Sequence, residues 1–596
     1  MKLRSFFYLL ATIVAGLLLT GTIAFFWLFA QSPLGLFNGS RAQPSAVMFV
    51  SKQAPVMASL MVNPDRLTSL RQIVVKPSDR RQARAELDQF KQGIISTMGL
   101  DYRHDLQPWI GDEITVAVTT LDIDRDLENG QQPGYLMALS TQDSQRSREF
   151  LQVFWQKRAI AGVDLIFESY KGTKLIYGSD LKDPQDRSKS SRRSTQSAAQ
   201  ISPISFASAV VGNQFVLFAN SPKVLRDAIN TVQATELGLA SSETYQTAIA
   251  HLNQGRVGLV FLNFPQLAAL NGKESALADE LATKSEENSA IYESLAIAIG
   301  LDRQGLTAET ALLTPTGEIA ATPSTSKPVE ALKYIPATSP LSASGVDLDQ
   351  FWSRLSQGVS GYQNVAGLVD RPINALNDLW KLDLPQDIFS WVKGEYALGL
   401  VPRQDENLAK NETALPGLGD WVFVADKSVD QGAQLAIEHL DEIAKQQGIS
   451  IGSLQLSDQT VNVWTRLSTA NNAKKRNQKA LDVQAEVAGV HASVGNYEIF
   501  TTSVEAMSEV LKATQNPISK SKAFRQAIAP LTTPNNGYLY LDWETAQPLL
   551  EGRFPILKVL KLAGQPFFDH LRSFTFSSYG SQPGVQQGSA FIKLED

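Results

Sequence analysis

Five histidines are the side chains of this sequence best suited to acid–base or metal chemistry: His104, His251, His439, His491 and His570. None stands in an HxH, HxxxH or HExxH spacing, the patterns that bring two imidazoles to one face of a strand or helix. There is no cysteine, so thiolate metal sites, cysteine nucleophiles and disulfides are excluded together. A zinc or iron centre would need the scattered histidines to converge, and each reads as an ordinary partly buried or surface residue. No G-x-S-x-G elbow is present, and Ser-x-x-Lys occurrences such as Ser179–Lys182 and Ser519–Lys522 fall in polar segments. No glycine-rich loop of the kind that cradles a phosphate appears either.

Two groups of charges carry more specific expectations. Asp122, Asp124 and Asp126 alternate in the segment LDIDRDLENG and could offer oxygens to Ca²⁺, as the first positions of an EF-hand loop do. Leu127 stands where that loop needs its glycine, and Pro133 stands where it needs its bidentate glutamate. The segment therefore reads first as a solvated loop between two strands, with the three aspartates as weak metal candidates. The second group is basic: Arg187, Arg192 and Arg193 in one polar insertion, and Lys474, Lys475 and Arg476 in another. Both read as solvated loops that could attract anionic headgroups or an acidic partner. No cofactor is called for by any motif.

The elements that must position these residues follow from composition and pattern. The chain has 596 residues, too many for one core, with 43% hydrophobic and 19% charged residues, a globular balance. The net charge of −6 argues against a nucleic-acid partner. Behind Lys2 and Arg4, residues 5–30 carry no charge and end in Phe25, Phe26, Trp27 and Phe29. As a helix they would cover about 39 Å, enough to span the hydrocarbon core. The expectation is an uncleaved single-pass anchor at 1–30, N-terminus in the cytoplasm, a stalk at 31–44, and the bulk of the chain in a periplasm or thylakoid lumen.

Beyond the stalk the sequence reads as two related units, 45–314 and 333–596, joined by a Pro/Thr/Ser linker at 315–332. FASAVVGNQFVLFANSP of the first answers GVHASVGNYEIFTTS of the second, and WIGDE at 109–113 answers WVKGE at 391–395. Gly212-Asn213 and Lys171-Gly172 suit two-residue hairpin turns. Ser221-Pro222 suits a helix start, and longer helices are expected at 144–161 and 428–447. The fold expected is α+β: a transmembrane helix, then two tandem units, each a mostly antiparallel sheet with helices packed on one face.

The anchor-like run with its two WIGDE-like and VGN-hairpin units resembles a family of unknown function associated with single-span, membrane-anchored cyanobacterial proteins. That resemblance covers nearly all of the chain and implies architecture, with no catalytic residues to transfer. The function expected is a non-catalytic, membrane-anchored interaction, scaffold or assembly factor with a protein partner. A lipid or hydrophobic-ligand carrier is the alternative, and a hydrolase with an unrecognised site a more distant one.

Overall fold

The computed structural model describes residues 43–63, 101–124, 131–181, 206–253, 255–269, 292–302, 304–314, 324–359, 382–403, 419–470, 482–553, 570–582 and 584–594, with a few single positions between them. Its contacts divide the chain into two compact units, one built from residues 1–315 with 559–570, the other from 316–558 with 571–595. The first holds β1 (Val56–Leu60), β2 (Ile110–Thr120), β3 (Gly134–Thr141), β4 (Leu165–Tyr170), β5 (Thr173–Gly178), β6 (Ala207–Val211), β7 (Phe215–Ala219), β8 (Gly258–Asn263), β9 (Ser294–Asp302) and β10 (Gly305–Leu313). Its helices are α1 (Ser144–Ile160), α2 (Pro222–Gln233), α3 (Glu243–Ala250) and α4 (Phe264–Ala268). All pairings are antiparallel, in the order β10-β9-β8-β1-β2-β3-β7-β6-β5-β4.

The second unit repeats that order. Its strands are β11 (Leu341–Val346), β12 (Glu395–Val401), β13 (Asp420–Asp426), β14 (Ile449–Leu456), β15 (Gln459–Ala470), β16 (Asp482–Val494), β17 (Tyr497–Thr501), β18 (Gly537–Asp542), β19 (Leu571–Gln582) and β20 (Val585–Leu594). They pair as β20-β19-β18-β11-β12-β13-β17-β16-β15-β14, again antiparallel throughout. The helices are α5 (Leu348–Val359), α6 (Ala433–Gln446), α7 (Val504–Ala513), α8 (Lys522–Ile528) and α9 (Trp543–Arg553).

The expected α+β fold is corrected on three points. Large antiparallel sheet dominates the described residues, with twenty strands among them and helices in the minority. Strands such as β19 and β20 mix apolar with small polar residues (LRSFTFSSYGSQ, VQQGSAFIKL), which mutes their hydrophobic pattern in the sequence. Helices also lie on both faces of the sheet, not one. Every residue of β7 is buried. Phe215, Leu217 and Ala219 pack with Val224, Leu225, Ala228 and Ile229 of α2, while Val216 and Phe218 pack with Leu151, Phe154 and Trp155 of α1. An unbroken apolar run such as FVLFA is what two-sided burial requires. Finally, the transmembrane helix expected within residues 5–30 falls outside the described residues. No helix among the described residues is long and apolar enough to cross a membrane.

Local chemistry accounts for the element boundaries. Gly212 and Gly495 take φ of 58° and 59° in the two hairpin turns, a region open to glycine at little cost. Ser221 caps α2 by accepting from the Lys223 amide at 3.2 Å. The helix expected from residue 428 starts only at Ala433. Asp426 accepts from the Ser428 amide at 2.9 Å and Asp430 from the Gly432 amide at 2.7 Å, and such side-chain turns compete with helix.

Candidate functional site

The WIGDE and WVKGE motifs serve the frame. The indole of Trp109, 1% exposed, donates to the Asp105 carbonyl at 2.6 Å, and Trp391 donates to Asp387 at 3.2 Å. Buried Glu113 accepts from the amides of Ser45 and Ala46 at 2.8 and 2.7 Å. Its counterpart Glu395 accepts from the Ala331 amide at 3.2 Å and the Tyr497 hydroxyl at 3.0 Å. Both carboxylates pin the segment that enters their unit.

The densest meeting of chemically capable side chains is elsewhere, on β16 and β17 of the second unit. The turn at Gly495-Asn496 sets Val494 opposite Tyr497, Ser493 opposite Glu498 and His491 opposite Phe500. His491, Ser493, Glu498 and Phe500 therefore share one face, and His491 reaches Glu498 as a diagonal neighbour. The His491 Nδ1 lies 2.7 Å from Glu498 Oε1. Ser493 donates to Glu498 Oε2 at 2.5 Å, and Lys427 Nζ lies 2.6 Å from Ser493 Oγ and 3.1 Å from Glu498 Oε2. Lys427 follows β13 and is anchored by its amide, which donates to the Asn496 carbonyl at 2.9 Å.

On the helix side, Asp441 of α6 places Oδ1 at 3.2 Å from His491 Nε2, within ion-pair range but not aligned as a hydrogen bond. The Trp464 indole of β15 donates to the same Asp441 oxygen at 2.7 Å. The imidazole lies near-parallel to Phe500 at 5.7 Å and tilted against Trp464 at 5.3 Å. Glu498 is 1% exposed and His491 3%, so nearly all of this charge is out of water. Burial pushes the Glu498 carboxyl upward, but the hydrogen bonds from His491, Ser493 and Lys427 outweigh it and hold the group below its ordinary range.

This arrangement stores charge; it does not set up a nucleophile. Ser493 is exposed, but its neighbour Lys427 is paired with a carboxylate and has no free lone pair to act as a base. Glu498, held ionised by three donors, is a weak proton acceptor. At the equivalent register of the first unit stand Ser208, Val210, Val216 and Phe218, where the Trp155 indole donates to Ser208 Oγ at 2.7 Å. The charged cluster thus belongs to the second unit alone. In the sequence nothing distinguishes His491 from the other four histidines. The Gly-Asn turn was the available signal, since a two-residue turn already sets Ser493 against Glu498.

The aspartates expected as metal candidates take a different form. Asp122 borders a cleft of about 20 Å³ lined by Thr120, Asp122, Ile123, Lys223, Val224 and Asp227. Burial raises the Asp122 carboxyl, and hydrogen bonding and repulsion from Asp124 add to the rise. Lys223 Nζ donates to the Ile123 carbonyl in the same cleft. A carboxyl pushed toward its neutral form beside an ammonium group is poorly placed to ligate a cation. Among the described residues no three His, Asp or Glu side chains gather as a metal would require. Asp126 lies outside the described residues, as do Arg187, Arg192, Arg193, Lys474, Lys475 and Arg476.

Fold and site together define a protein of two antiparallel units with one strand order, the second carrying a buried charged cluster. The chain belongs to the family described as protein of unknown function (DUF3352), whose model matches residues 11–594, and no catalytic family is identified. No curated protein matches it. It is similar to a solved structure described as crystal form I of TP0453, with 8% identity and a TM-score of 0.21, over 47% of this chain and 82% of the other.

Proposed function

We propose that this protein acts without catalysis, as an interaction, scaffold or assembly factor outside the cytoplasm. The observation that carries the reading is apolar surface at the same end of the strand order in both units. In the first, Phe167 on β4 is 71% exposed, and β4 pairs only with β5 among the described strands. Ile160, 80% exposed, and Val153 lie two helical turns apart on the outward face of α1. In the second, Leu435 on α6, Leu454 on β14 and Leu467 on β15 are exposed likewise. Large exposed apolar groups at the end of a sheet favour a docking partner.

The interior supports this over the carrier. The fully buried Trp109, Phe49, Tyr245, Phe261, Phe524 and Phe591 pack closely, with edge-to-face ring contacts such as Tyr245–Phe261 at 5.3 Å and Phe524–Tyr540 at 5.3 Å. The extracytoplasmic setting rests on the uncharged run of residues 5–30 behind Lys2 and Arg4, a pattern that export machinery reads.

The test is purification of the full chain from its native membranes and soluble fraction, beside an Ile160→Glu, Phe167→Glu variant. A stoichiometric protein that accompanies the natural chain and is lost from the variant is the expected result. Co-purifying lipid with no protein, or a partner retained in full by the variant, would overturn the proposal.

A further inference from the structure

We infer that the His491 cluster is a proton-operated clamp that holds α6 on the sheet of the second unit. The imidazole lies between carboxylates from two different elements, Glu498 of β17 at 2.7 Å and Asp441 of α6 at 3.2 Å. An imidazolium carries an N–H on each ring nitrogen, whereas a neutral imidazole carries one. The protonated ring therefore ties sheet and helix together. The neutral ring keeps a single donor, and the shorter contact to Glu498 leaves Asp441 as the partner given up.

The other groups facing the ring do not replace that link. Lys427 directs its charge to Glu498 Oε2 and Ser493. Trp464 and Phe500 flank the ring and carry no charge. The Trp464 indole fixes the Asp441 oxygen in place, so the carboxylate stays within ion-pair range of Nε2. Asp441 has 22% of its side chain exposed, which gives protons a way in from solvent although the ring itself is buried. Glu498, held below its ordinary range, keeps its half of the clamp. The helix is thus held more firmly on the acid side, where the ring carries both protons, and loosened where it has given one up. In the first unit the matching helix, α1, meets Ser208 through Trp155, a link with no ionisable group. It serves as an internal control.

Hydrogen–deuterium exchange on the full chain, corrected for intrinsic rates, tests this at about pH 5.5 and about pH 8. Protection of residues 433–446 is expected to fall about tenfold at the higher pH, the scale of one charge-assisted contact, while residues 144–160 keep theirs. Asp441→Asn retains an acceptor for Trp464 and removes the charge, so it is expected to abolish the difference. His491→Gln is expected to do the same. Should the buried His491→Gln variant fail to fold, Asp441→Asn, on a partly exposed helix position, decides alone. Equal loss of protection in both helices, or a full pH difference surviving Asp441→Asn, would overturn the clamp.

Discussion

Arg226 of α2 grips Glu168 of the edge strand β4 through two parallel hydrogen bonds, Nε to Oε1 at 2.8 Å and Nη2 to Oε2 at 3.0 Å. The Tyr177 hydroxyl adds a third at 2.9 Å. Hydrogen bonding from Arg226, against an opposing effect of burial, holds the Glu168 carboxyl below its ordinary range. A carboxyl lowered in the folded state contributes stability that is fully present above its unfolded value, about 4.3, and is lost as pH falls through the folded value. Glu168→Gln is therefore expected to cost about 1–2 kcal/mol at neutral pH and progressively less in acid. Urea denaturation at about pH 7 and about pH 3 measures it, and an equal deficit at both would show that the ion pair contributes nothing.

Two glycines separate backbone strain from steric contact. Gly537 opens β18 with φ of 127°, and a Cβ there would stand 1.9 Å from the Ser344 carbonyl oxygen of β11. Gly212 has φ of 58°, and a Cβ there would meet nothing within 4 Å. Gly212→Ala is expected to cost about 1 kcal/mol, the price of the left-handed backbone alone. Gly537→Ala must also push β11 and β18 apart, and is expected to cost at least about 3 kcal/mol. Thermal unfolding of the two variants gives the comparison. Equal losses would place the strand spacing at Gly537 under no steric control.

Calcium is expected to have no effect at Asp122. Titration calorimetry of the full chain should show no heat that depends on Asp122 or Asp124, and Asp124→Asn should leave the trace unchanged. A saturable heat abolished by that substitution would mean that Lys223 and the raised Asp122 carboxyl yield to the ion.

Much of the local structure was legible in the sequence, because its causes lie within a few residues. The Gly495-Asn496 turn, the Lys171-Gly172 hairpin and the Ser221 cap each follow from one side chain's effect on its own backbone, whereas the turn expected at Gly212-Asn213 takes in Gln214 as a third residue. The helix at 144–161 ends within one residue of its expected boundary, at Ile160. The α6 start was misplaced by competing aspartate turns, whose strength relative to helix depends on what the helix packs against. The two-sided burial of β7 is written in FVLFA, yet an unbroken apolar run names no partners and so does not by itself place helices on both faces.

The candidate site was far less legible. Ser493 and Glu498 could be paired from the turn between them, but Asp441, Trp464 and Lys427 come from three other elements. In sequence they are an aspartate in an amphipathic helix, a tryptophan in a half-exposed strand and a lysine in a loop, with nothing to mark them. The sequence alone determined the absence of thiol chemistry, the pairing of motifs between two halves, and the turns and caps that nucleate each hairpin. Only tertiary structure decided that helices cover both faces of the sheet and that one histidine of five sits between two carboxylates. The reason is range. Turns and caps are settled by short-range sterics and hydrogen bonding, whereas the worth of a buried charge depends on which groups distant in sequence replace its lost water.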